Sequence, residues 1–201
     1  MKSAYGRQSL APDYELTCVE PGSPMGELMR RYWQPVCTSD ELRDLPRKEK
    51  LLCEEIVVFR DKRGRVGALD PHCAHRGTSL EWGRVEEEGL RCCYHGWLYD
   101  AQGQCIDMPC ETEEFRQAME VWQPAYPTTE YGGLVFVYMG PPGTEPLFPR
   151  FDIIDRPGIV KNGARMSCCA GCGCGATTRS AWSRTATGCS TGRTSSTRTI
   201  S

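Results

Sequence analysis

The chain has 201 residues, enough for one domain with appendages, and its 39% hydrophobic and 25% charged content fits a globular protein. No run of about 18 apolar residues occurs, so no membrane span is expected. Residues 1–15 lack the apolar stretch of a secretory signal, so a cytoplasmic location is expected. A net charge of −2 speaks against a nucleic-acid partner, which would need a basic surplus.

In chain order, the first element is a short amphipathic helix. Ser23 is its N-cap and Pro24 its first residue. Met25, Leu28, Met29, Tyr32 and Trp33 then recur at helical spacing along one face, with Arg30 and Arg31 expected to point away from it. Residues 55–60 (EIVVFR) and 65–69 (RVGAL) read as strands joined by the turn Asp61-Lys62-Arg63-Gly64. Residues 96–99 and 104–107 flank a second hairpin turn, Asp100-Ala101-Gln102-Gly103. Residues 134–139 (LVFVYM) read as a buried strand, stopped by Gly140-Pro141-Pro142. Short strands with regular turn signals predict a mainly β fold, a sandwich or small barrel.

Composition changes at Met166. Residues 167–201 hold eight Thr, seven Ser, five Gly and five Cys, and no Asp, Glu, Lys, Leu, Val or Phe. Such a tail has too little apolar surface to bury and is expected to be disordered. Residues 1–166 then carry 20 basic and 26 acidic side chains, net −6, and the tail carries +4. Two readings of the tail compete. One is a Cys-rich metal-binding or linker segment around Cys168, Cys169, Cys172 and Cys174; the other is a GC-rich reading frame translated out of register.

The thirteen cysteines, without a secretory signal, favour metal ligation over a disulfide framework. All three histidines lie between residues 72 and 95, and two of them sit in paired motifs. The first is Cys73-Ala74-His75-Arg76-Gly77 and the second Cys92-Cys93-Tyr94-His95-Gly96-Trp97. Structural zinc sites pair Cys with Cys and His with His, which these loops do not. A two-iron, two-sulfide cluster with two Cys on one iron and two His on the other suits them better, each loop giving one ligand to each iron. The candidate ligands are therefore Cys73, His75, Cys92 and His95. Gly77 and Gly96 would let the backbone approach the sulfides. The spacing to His95 selects Cys92 over Cys93, and His72 reads as a loop residue. Cys18, Cys37, Cys53, Cys105 and Cys110 read as ordinary core or surface residues.

From about Arg31 to Met166 the chain resembles the large subunit of Rieske non-haem iron oxygenases, of the phthalate-dioxygenase and aryl-ether demethylase type. The resemblance rests on RYWQPV, VVFRDKRGRVGALDPHCAHRG, CCYHGWLYDAQGQC and EYGGLVFVYMGPP. It places Cys93 where the family most often has proline. It implies a Rieske-type antiparallel β-sandwich holding a [2Fe-2S] cluster, fed with electrons by a reductase or ferredoxin. In the intact family a C-terminal domain holds a mononuclear Fe(II) on two His and a carboxylate, and the subunits form a homotrimer. The expected organisation is a helical lead-in at 1–45, the Rieske domain at 46–150, the start of a catalytic domain at 151–166 and the tail at 167–201. No histidine follows His95, so no mononuclear-iron site is expected in this chain. Residues 184–201, read one base out of frame, permit a peptide with NWLQ and ENVVDP that resembles the family's iron-binding helix, which points to a frameshift near Met166. A free-standing Rieske ferredoxin is the alternative reading.

Overall fold

The computed structural model describes residue 11 and residues 13–156. The expectations for residues 157–201, including the tail, its cysteines and the frameshift, lie outside the described residues. Eleven strands are described: β1 (Gln34–Thr38), β2 (Arg47–Leu51), β3 (Glu54–Arg60), β4 (Val66–Leu69), β5 (Arg84–Val85), β6 (Leu90–Arg91), β7 (Leu98–Tyr99), β8 (Cys105–Asp107), β9 (Ala125–Tyr126), β10 (Thr128–Tyr131) and β11 (Leu134–Val137). They form three antiparallel sheets, in the orders β1-β11-β10, β2-β3-β4-β9 and β5-β6-β7-β8. The short helices are α1 (Tyr14–Thr17), α2 (Pro24–Arg30), α3 (Glu113–Ala118) and α4 (Asp152–Asp155). Among the described residues no helix is long and apolar enough to cross a membrane.

Both predicted hairpins form. β3 pairs with β4, and β7 with β8. Each turn is held by its leading aspartate, which accepts a hydrogen bond from the backbone four residues on. Arg65 N donates to Asp61 Oδ1 at 2.8 Å, and Gln104 N to Asp100 Oδ1 at 2.8 Å. The predicted strand after Gly133 runs from Leu134 to Val137 and is central in its sheet, paired with β1 on one side and β10 on the other. Its alternation explains the burial: Val135 and Val137 face the core while Leu134 and Phe136 are half covered.

The helix at Ser23 forms with the expected cap, Gly26 N donating to Ser23 Oγ at 3.1 Å. Its buried face is a different one from that read in the sequence. Leu28 and Tyr32 are 48% and 57% exposed, while Gly26 and Arg30 are buried. Two physical reasons account for this. The helix ends at Arg30, so Tyr32 and Trp33 lie beyond it. Arg30, expected to point to solvent, instead finds acceptors for its guanidinium: Glu54 Oε1, Leu52 O at 2.8 Å and Val19 O at 3.1 Å. A buried cation is tolerated when it is paired and hydrogen-bonded.

The apolar interior has two parts. One lies between the β1 sheet and one face of the β3 sheet, and includes Val36, Leu42, Ile56, Val58, Val135 and Val137. The other collects Val57, Phe59, Leu69, Leu80, Leu90 and Tyr99 together with Cys73, Cys92, Trp97 and Cys105. Alternate residues of β3 thus serve both halves. The second half is where the paired motifs meet.

Candidate metal centre

The first motif follows β4, and the second bridges β6 and β7. Their backbones share one hydrogen-bond frame. In the first, Cys73 N donates to Thr78 O at 2.9 Å and Gly77 N to Cys73 O at 2.8 Å. In the second, Cys92 N donates to Trp97 O at 2.8 Å and Gly96 N to Cys92 O at 3.2 Å. Both glycines sit at positive φ, +71° and +77°, where a side chain would be strained. The one-residue difference in Cys-to-His spacing therefore does not reflect two different loops. It places the imidazole at the third position of one frame and the fourth of the other.

Cys73 and Cys92 are each 4% exposed and lie in one core. The Cys73 thiol is pushed up, by burial first and also by the neighbouring Cys92, while its hydrogen bond with the Tyr99 hydroxyl at 3.1 Å pulls the other way. Two buried thiols facing each other resist ionising unless a cation compensates their charge. The two imidazoles also meet: the His75 and His95 rings are 4.6 Å apart, edge to face. Behind them His75 stacks flat on Trp97 at 4.4 Å, and Tyr94 lies against His95 at 3.8 Å. His75 is held below the ordinary imidazole range by burial, then by His95 and Arg76, with Glu111 opposing. A neutral imidazole has a lone pair available to a metal. Nδ1 of His75 is buried and has no hydrogen-bond partner, an uncompensated cost unless something else occupies it. Its other nitrogen, Nε2, faces Glu111 at 3.9 Å.

This donor set fits the two-iron cluster better than a single ion. No three of the described His, Cys, Asp and Glu side chains converge where they could hold one metal ion, as a structural zinc would need. Two thiols and two imidazoles in separate pairs are what a cluster with Cys on one iron and His on the other requires.

Cys93 is exposed while Cys92 is buried. His72 is exposed on the loop, its ring 3.7 Å from Asp70. Cys37 is buried in the other half of the core, its thiol pushed up to about 12 by burial. Two cysteines read as ordinary prove to be neighbours of the site. Cys105 shares the core of Cys73, and the Cys110 thiol donates to the His95 carbonyl at 3.3 Å. Tyr99 and Arg91 are further residues that the motif did not reveal. Arg91 donates to the Gly96 carbonyl and, at 2.8 Å, to Asp107, so it braces the second loop from below.

Residues 32–127 match the Rieske [2Fe-2S] domain family, so the chain carries a Rieske domain. The relatives define the type more closely. The chain is 51% identical over 153 residues to the phenoxybenzoate dioxygenase subunit alpha of Ectopseudomonas oleovorans, spanning 76% of this chain and 37% of that one. It is 44% identical over 157 residues to the 5,5'-dehydrodivanillate O-demethylase oxygenase subunit of Sphingobium sp., spanning 76% and 36%. Among solved structures, dicamba monooxygenase bound to dicamba superposes with a TM-score of 0.56 at 26% identity, over 64% of this chain and 41% of that one. The chain thus carries a Rieske domain homologous to the N-terminal part of oxygenase large subunits. It spans little more than a third of the length of these two curated relatives.

Proposed function

We propose that Cys73, His75, Cys92 and His95 hold the cluster, the two cysteines on one iron and the two histidines on the other. The observation that carries this reading is the buried, unpartnered Nδ1 of His75 beside a second imidazole and above two buried thiols. When bound, the group supplies one-electron transfer at a potential raised by its neutral imidazole ligands. The chain's own residues do the rest. Tyr99 and the apolar core keep water from the thiol side, and Trp97 fixes the plane of His75. The Nε2 edge of His75 is 18% exposed at the side chain and faces Glu111, so this is where a proton can be held or released at the surface.

In this reading the chain is the electron-transfer domain of an aromatic-ring-hydroxylating or O-demethylating oxygenase, and a reductase or ferredoxin supplies its electrons. The chain by itself accepts an electron but does not oxygenate. Of its three histidines two serve the cluster, and the third, His72, cannot form a two-His, one-carboxylate iron site alone. The homotrimer of the intact family belongs to the same proposal for the whole enzyme.

The test is a pair of serine variants of the full chain, assayed for iron, sulfide and visible absorbance after anaerobic reconstitution. Cys92→Ser should lose the cluster and Cys93→Ser should keep it. The reverse pattern would overturn the ligand assignment.

A further inference from the structure

Gln123 is a large polar side chain that is 1% exposed, far from both motifs in sequence. Its amide is fully used, and on one loop only. Oε1 accepts from Ala74 N at 2.7 Å, and Nε2 donates to Asp70 O and to His72 O, both at 2.9 Å. Those partners bracket Cys73 on both sides. The backbone of Gln123 belongs to the other half of the site. Residues 121–123 run beside residues 103–105: Cys105 N donates to Val121 O at 2.9 Å, Gln123 N to Gly103 O at 2.7 Å, and Trp122 bridges Gln104. That strip continues the hairpin that leaves the second loop through Trp97 and Tyr99. Its approach is close enough that a side chain on Gly103 would stand 2.2 Å from the Gln123 carbonyl. The next residue completes the link, since Asp70 N donates to Pro124 O at 2.8 Å.

We propose that Gln123 is a positioning residue that fixes the Cys73–His75 loop at its distance from the Cys92–His95 loop. The proposal rests on the ligand assignment above and goes beyond it. A cluster shared by two loops is held only while both stay in register, and the frame bonds of each loop lie within that loop. The Gln123 amide adds three bonds between the halves, made by a side chain that is 1% exposed, where an unmade bond is costly. It acts through the backbone, touching neither thiol nor imidazole, so it sets where the ligands stand and not how they ionise.

The experiment uses the full chain with Gln123→Met, which keeps the length and apolar packing but makes none of the bonds. A second variant, Gln123→Glu, turns an oxygen toward two carbonyls. Val135→Ala, in the other half of the core, serves as a control of comparable melting loss. Loss of iron to a chelator should be about tenfold faster in both Gln123 variants than in the control. Equal rates at equal melting temperature would show a merely structural role and overturn the proposal. A second readout needs no cluster. In the cluster-free chain, exchange of the Ala74 amide should accelerate about tenfold in Gln123→Met while that of Gly96 stays unchanged. If Ala74 exchange does not change, the positioning claim fails whether or not the ligand assignment is right. If the wild type binds no iron yet Ala74 responds, the ligand assignment fails and the positioning of the loop stands.

Discussion

Replacing Tyr99 by phenylalanine removes one oxygen from a fully buried site and leaves the ring in place. That oxygen lies 3.1 Å from the Cys73 sulfur. Burial, and next the Cys73 thiol, hold the phenol well above its ordinary range, so it stays protonated, and with Cys73 on the cluster as proposed it would donate to the thiolate. A hydrogen bond to a charged acceptor contributes about 1.5–3 kcal/mol. The thiolate persists in both oxidation states, so only the strengthening on reduction counts, about 1 kcal/mol. At 59 mV and 1.4 kcal/mol per tenfold for one electron, the variant should have a potential lower by about 40 mV. The assay is a redox titration of the reconstituted full chain followed by visible circular dichroism, with thermal melting as a control for folding. An unchanged or higher potential would refute the placement of Cys73 at the cluster and the direction of this bond.

Two further outcomes concern stability. Glu86 is held down to about 2, chiefly by its hydrogen bond from Arg91 and also by Arg84. A carboxyl with a depressed folded value stabilises the fold above its ordinary range near 4.5 and loses that contribution as pH falls toward 2. Melting temperature should therefore drop across that window, and Glu86→Gln should flatten the drop; an equal slope in both proteins would contradict the pairing. Arg30→Met takes the cation from Glu54 and the donor from the Leu52 and Val19 carbonyls, and should cost about 2 kcal/mol in urea unfolding. A loss under about 1 kcal/mol would mean that the buried guanidinium contributes little.

The paired Cys/His motifs and the two hairpins could be read from the sequence because each is set by residues a few positions apart. A ligand pair on a loop and an Asp-x-x-Gly turn are local patterns, and the structure forms the loops and turns where they were expected. The residues that support the site are not local. Tyr99 meets Cys73 across 26 positions and Gln123 meets Ala74 across 49, and no period or motif marks either. Arg30 is the opposite case: the cap and the helix form where the sequence predicts them, but the apolar spacing points to the wrong face, because the guanidinium finds three acceptors in the fold. Cys105 and Cys110 were indistinguishable from other cysteines until the fold brought them beside the loops.

The central claim is that two imidazoles and two thiolates share the cluster. It is tested most directly by electron–nuclear double resonance on the chemically reduced full chain labelled with nitrogen-15 histidine, in a His72→Asn background where His75 and His95 are the only histidines. Two strongly coupled histidine nitrogens, lost one at a time in His75→Cys and His95→Cys, are the predicted result. No coupled nitrogen, or a coupling that survives both substitutions, would contradict it.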